Sequence, residues 1–172
     1  MKKLFLMLAT VAMLTACNGN GNASGSNASN ESSAQATEQN DQANMQEVTK
    51  GPGTVECEKF SVDLPDGWEV NNKQDKVISV KAPSGEIFEF VYEEQSNYTQ
   101  EKQFKMEKDG VQDKGEKAFG DNTYASYVWM DAYSAVMKIG DGNAGTIKVN
   151  TTNVKDDTNE MIAVILPNVK MK

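Results

Sequence analysis

Phe60-Ser61-Val62-Asp63-Leu64-Pro65-Asp66-Gly67-Trp68 decides how the rest of the chain is read. Phe60, Val62 and Leu64 alternate with polar neighbours at the period of a strand that is buried on one face. Pro65-Asp66-Gly67 then supplies the fixed φ, the side-chain cap and the positive φ of a tight turn, and Trp68 follows as a large apolar anchor. Downstream, Val77-Ile78-Ser79-Val80-Lys81 and Ile87-Phe88-Glu89-Phe90-Val91-Tyr92 flank Pro83-Ser84-Gly85. They are expected to form an antiparallel hairpin with Phe88, Phe90 and Tyr92 on one face.

From Ser96 to Gly110 the residues favour a helix capped by Ser96 or Asn97 and closed by Gly110, although Tyr98, Phe104 and Met106 make no clean apolar stripe. Val111 to Asn122 is polar and reads as a loop with a short edge strand around Ala118-Phe119. Tyr124 to Ile139 is the richest apolar run and predicts the central strands, broken at Met130-Asp131-Ala132. Gly140 to Gly145 is a turn into Thr146-Ile147-Lys148-Val149-Asn150, a second hairpin. The spacing of Asp141, Asn143 and Gly145 imitates the start of a calcium loop, but the twelfth position holds Thr152 where a bidentate Glu is needed. The end of the chain predicts a final helix opened by an Asp157/Glu160 capping box, with Ile162, Ile165 and Leu166 on one face and Val169 extending it. Pro167 must stop or kink that helix.

Together these elements predict an α+β domain over residues 54–172, an antiparallel β-sheet of about six or seven strands with one or two helices packed on it. The nonapeptide Phe60 to Trp68 and the element order resemble the PsbP-like fold, which includes extrinsic photosystem subunits and small bacterial lipoproteins. The resemblance covers about residues 55 to 172. It implies that Phe60, Pro65 and Trp68 shape and fill the first corner of the sheet, and it carries over no catalytic residue.

Outward from the domain, residues 18–53 are almost entirely Asn, Gly, Ser, Ala, Gln, Thr, Asp and Glu, with Met45 and Val48 as the larger apolar side chains. Such a tract cannot offset its ordering entropy by burial and is expected to be a tether, with a root-mean-square span of roughly 30–35 Å. Before it, Lys2 and Lys3 precede the apolar run Leu4 to Leu14, about a dozen residues and too short to span a bilayer, as in an export signal. Leu14-Thr15-Ala16-Cys17 resembles the lipobox of bacterial lipoproteins. That resemblance implies residues 1–16 as signal peptide, cleavage between Ala16 and Cys17, and diacylglycerylation of Cys17 with a further acyl group on its nitrogen. The domain is then expected in the bacterial cell envelope, anchored to a membrane by lipid on Cys17 and facing the periplasm.

Composition bounds the chemistry. The chain of 172 residues has a formal charge of −8, and losing Lys2 and Lys3 takes it to −10, with 15 lysines against 25 acids. Nucleic acid and anionic lipid surfaces are poor partners for such a chain. There is no histidine, and every cation is lysine. That excludes His-dependent nucleophilic triads and bidentate arginine recognition, and with Cys57 as the one thiol left after Cys17 it leaves no zinc set. Cys57 reads as a small residue at a strand start. No catalytic residue, metal ligand or cofactor is expected, and the domain is read as a monomer.

Three functions fit: a non-enzymatic domain that docks on an envelope protein, a small-ligand or cell-wall glycan module using aromatics from the pool Tyr92, Tyr98, Tyr124, Tyr127 and Trp129, and an enzyme working with paired carboxylates. The first is preferred, because the lipobox and tether imply positioning at a membrane while the familiar catalytic side chains are missing.

Overall fold

The computed structural model describes residues 52–172. The readings of Ala16, Cys17, the signal and most of the tether lie outside these residues. Ten strands form two antiparallel sheets, joined by two α-helices and one 3₁₀ turn. The strands are β1 (Gly53–Glu56), β2 (Phe60–Leu64), β3 (Glu69–Gln74), β4 (Val77–Lys81), β5 (Ile87–Glu93), β6 (Gln112–Phe119), β7 (Asn122–Trp129), β8 (Ala132–Lys138), β9 (Thr146–Thr152) and β10 (Val169–Met171). The helices are α1 (Tyr98–Met106) and α2 (Glu160–Ile165). The larger sheet runs β3-β4-β5-β9-β8-β7-β6 and the smaller one β1-β2-β10. The α+β expectation and a seven-stranded antiparallel sheet are therefore met, while the second sheet was not anticipated.

The alternating residues did what their period predicts. Phe60, Val62 and Leu64 face the core from β2; Phe88, Phe90 and Tyr92 do so from β5, and Ile147 and Val149 from β9. Gly67 holds φ +81 in the turn after Pro65, and Trp68 is 2% exposed, its ring 5.7 Å from that of Phe88. The β8–β9 hairpin also forms as expected. Its Gly145 is obligatory: at φ +100, a Cβ there would lie 2.7 Å from the Glu93 carbonyl oxygen.

The smaller sheet, α2 and the 3₁₀ turn cover one face of the larger sheet. Val55, Val62, Ile162, Ile165 and Leu166 pack there with Ile78, Phe90, Tyr124 and Tyr133 in the principal core. Cys57 belongs to this core, buried in the connection between β1 and β2, where its N–H donates to the Phe60 carbonyl at 2.9 Å. The opposite face carries α1 over a smaller cluster of Tyr98, Ala125, Tyr127 and Val136.

Four expectations need correction. Residues 112–119 are an eight-residue edge strand, not a loop, with a register shift between Asp113 and Gly115. An edge strand needs little apolar surface, because backbone pairing with β7 holds it. The centre of the larger sheet is β9, whereas β7 lies one strand from the edge. The closing helix is short: Asn159, not Asp157, caps it, its side-chain oxygen accepting from the Met161 N–H at 2.9 Å. Asp157 instead reaches β6, with Lys117 at 2.5 Å and Lys114 at 3.6 Å. Finally, Val169 leaves the helix and pairs with Val62 as the start of β10. The 3₁₀ turn Leu166–Asn168 places Pro167 near its start, where a missing N–H is tolerated. The Leu166 carbonyl accepts from the Tyr124 hydroxyl at 2.9 Å and from the Asn122 amide at 3.2 Å, so β7 pins the chain where the helix gives way.

Candidate functional site

Four of the five aromatics in the pool are structural. Tyr92, Tyr98, Tyr124 and Tyr127 are buried, and burial pushes the phenols of Tyr98, Tyr124 and Tyr127 up, the last to about 12. Tyr92 and Tyr127 hydroxyls donate to the carbonyls of Ala144 and Lys102, each at 3.4 Å. Trp129 alone of the pool is exposed, at 43%. Phe104, on α1, is 55% exposed, and these two are the exposed aromatics among the described residues.

Local geometry brings them together. Asn97 caps α1, its side-chain oxygen accepting from Thr99 N–H at 2.9 Å and Gln100 N–H at 3.3 Å. The helix runs across the sheet toward the end of β7 and is bound to the sheet by Glu101, whose carboxylate lies 2.9 Å from Lys148 on β9, and by Lys102, 2.8 Å from Glu116 on β6. Past its end, the Asp109 carbonyl accepts from the Trp129 indole N–H at 3.1 Å. Lys108 lies 4.8 Å from the Phe104 ring centre and 5.6 Å from that of Trp129, so one ammonium bridges both π faces. At an exposed site each such contact contributes about 0.5–1 kcal/mol.

Beyond Trp129 the chain turns through Met130 and Asp131, at φ 49 and φ 58, and Trp129 pairs with Ala132 to close the hairpin. Two positive φ values suit the right-handed twist of the flanking strands, and Asn-Gly would adopt them at less cost than Met-Asp. Met130 is 79% exposed at the tip. An unbranched apolar side chain is therefore held in solvent, in an unfavourable backbone conformation, beside the exposed indole.

Between α1 and the β8–β9 surface lies a groove of about 290 Å³, lined by Lys105, Lys108, Trp129, Ser134, Asn150 and their neighbours. Lys148 beside it is committed to Glu93 at 2.7 Å as well as to Glu101. Burial would lower the Lys148 ammonium pKa, but these two carboxylates outweigh it and raise the value. Lys105 has the opposite fate: burial lowers its pKa, and Lys108 and Lys148 lower it further. The Asn150 amide donates to Glu89 at 3.2 Å.

The calcium-like turn is a structural turn. The Asp141 side chain accepts from the Asn143 N–H at 2.9 Å and shapes the loop from within, and Asn143 accepts from the Asn97 amide, which holds the loop against the start of α1. Among the described residues no three His, Cys, Asp or Glu side chains converge as a metal set.

Sequence reasoning included Trp129, the exposed member of the aromatic pool, but missed Phe104, Lys105, Lys108, Met130 and Ser134 around it. One signal was available: Phe104 and Met106 spoiled the apolar stripe of α1, as side chains left in solvent do. No family model, curated protein or solved structure matches the chain.

Proposed function

We propose that the protein is a lipoprotein, anchored to a membrane of the cell envelope through Cys17, whose PsbP-like domain is a non-enzymatic docking module. It engages an envelope protein through the surface of Phe104, Lys108, Trp129 and Met130. The supporting observation is that a domain which buries or half-buries its other large aromatics holds Phe104, Trp129 and Met130 in solvent, Met130 at a conformational cost. Trp is among the residue types that dominate association energy, and Met is enriched at protein interfaces.

Two experiments test this. Cys17→Ala is expected to leave an uncut precursor that incorporates no labelled fatty acid; acylation of that variant would remove the lipid anchor from the proposal. In intact cells, a photoreactive benzoylphenylalanine at position 129 is expected to capture one discrete envelope protein. The same probe at Lys81, on β4, should not, and Met130→Asp should abolish the product. Equal capture from both positions contradicts a docking surface at Trp129. A second reading, binding of cell-wall glycan, draws on the indole lying beside the polar Ser134 and Asn150. Sedimentation of the protein with purified peptidoglycan, lost in Trp129→Ala, is its signature.

A further inference from the structure

We propose that the groove between α1 and the β8–β9 surface is an anion site, taking a carboxylate attached to a ring, with the carboxylate at Lys105, Lys108 and Ser134 and the ring against Trp129. The inference rests on the docking reading only for the source of that carboxylate, and the groove itself is argued from its donors.

Eight described lysines sit in ion pairs, Lys148 among them. Lys105 and Lys108, which both line the groove, pair with no carboxylate among the described residues. The acids that could serve Lys105 are taken: Glu93 and Glu101 are held by Lys148, and Glu89 accepts from Asn150. Lys105 is only partly exposed, so its ammonium has lost water without gaining a counter-charge. Its lowered pKa reports the same frustration, caused first by burial and then by the two neighbouring lysines. In a chain of net charge −8, two adjacent ammonium groups face one groove with no carboxylate partner among the described residues, Lys108 having its ring contacts instead, and an anion would complete both.

Ser134 supplies a neutral donor. It stands opposite Asn150 in the β8–β9 register, lines the groove, and its hydroxyl has no hydrogen-bond partner among the described residues. Two ammonium groups, a hydroxyl and the second N–H of the Asn150 amide form a donor set with no carboxylate in the groove lining. A carboxylate oxygen pair satisfies such donors by charge-assisted hydrogen bonds. The indole beside them offers a flat face to a ring carried by the same ligand, which favours an aromatic or sugar acid over a bare anion.

The test uses the full chain in detergent micelles, labelled with fluorotryptophan, so that fluorine NMR separates the buried Trp68 from Trp129. Benzoate is expected to shift the Trp129 resonance in a saturable way and leave Trp68 unmoved. Acetate, with no ring, and benzyl alcohol, with no charge, are each expected to need concentrations at least about tenfold higher. Lys105→Met should weaken benzoate by roughly tenfold or more and Lys105→Arg by much less, with thermal unfolding of neither variant below that of the parent protein, because Lys105 makes no ion pair among the described residues. Equal responses to benzoate and benzyl alcohol, or full benzoate affinity in Lys105→Met, overturn the site.

Competition by a capped glutamyl-phenylalanine amide identifies the source. Displacement of benzoate at lower concentration points to an acidic side chain of a docked protein, and at higher concentration to a free acid. The two proposals fail separately. Crosslinking at position 129 without benzoate binding removes the anion site and keeps the docking surface; benzoate binding without crosslinking keeps the site and removes the docked protein.

Discussion

On its inner face the seven-stranded sheet meets three strands, α2 and the 3₁₀ turn, and side chains from Phe60 and Trp68 to Ile165 and Leu166 are sealed between them. On its outer face one nine-residue helix covers part of the width, and its apolar contact centres on Tyr98 against Ala125, Tyr127 and Val136. Both faces belong to the same strands, so backbone pairing is common to them and the difference lies in side-chain cover. The inner face carries the stability. The outer face, left partly open, carries the exposed rings, the unpaired lysines and the strained hairpin tip. Local opening free energies should follow the same division, low for α1 and close to global for β5 and β9.

The largest expected effect strikes the inner face. Trp68→Ala removes an indole that is 2% exposed and packed on Phe88, and should lower stability by about 3–5 kcal/mol, read as a fall in the urea midpoint at unchanged slope. Wild-type stability in this variant would break the comparison at its strongest point.

Next comes the outer face. Tyr98→Ala should cost about 2 kcal/mol and act locally: amide exchange in α1 accelerates while β5 and β9 keep their protection. Uniform loss of protection across both regions would mean that the small cluster is an integral part of the main core.

The ion pairs that tie β6 to the segment before α2 are worth less. The Asp157 carboxyl is held below the usual range by its hydrogen bond from Lys117 and by the charges of Lys117 and Lys114. A depressed carboxyl pKa contributes stability that is fully present above the unfolded value, about 4, and is lost as pH falls from there through the folded value. Asp157→Asn should therefore cost about 1 kcal/mol at neutral pH and flatten the acid limb of the stability profile. An acid limb unchanged in the variant would remove Asp157 from that account.

The smallest effect on folding is the most informative for function. Trp129→Ala should change stability by less than about 1 kcal/mol, since it removes one exposed indole with one carbonyl contact and one cation–π contact, yet it should abolish capture by a benzoylphenylalanine placed at Phe104, or the sedimented product. A large stability loss would show that the indole braces the end of α1, and the contrast between the two faces would narrow.

How much of this was legible depends on the kind of signal. Phe60-Ser-Val-Asp-Leu, Val77 to Lys81 and Ile87 to Tyr92 gave their strands directly, because a strand with one face in the core writes an alternating pattern into its residues. The polar strands β3 and β6 at the two edges carry no such pattern. Asn71 even bulges out of β3, its amide donating to the Ser79 hydroxyl at 3.1 Å. The candidate site was half legible, since Trp129 is recognisable as a large aromatic but its exposure is not a property of its own segment. Lys105 and Lys108 look like ordinary solvated residues of a charged helix until the carboxylates around them are found to be taken by Lys148.

The sequence by itself determined the class of the domain, its alternating core strands, its Pro-Asp-Gly and Gly140–Gly145 turns, and the lack of histidine and arginine that bounds its chemistry. The tertiary structure alone decided that Val169 abandons the closing helix to pair with Val62, that β1, β2 and β10 form a separate sheet, and that Phe104 meets Lys108 and Trp129. The physical reason is range. Periodicity and turn chemistry act between residues a few positions apart and are written along the chain, whereas edge pairing, charge pairing and exposure are settled between segments that only the fold brings together.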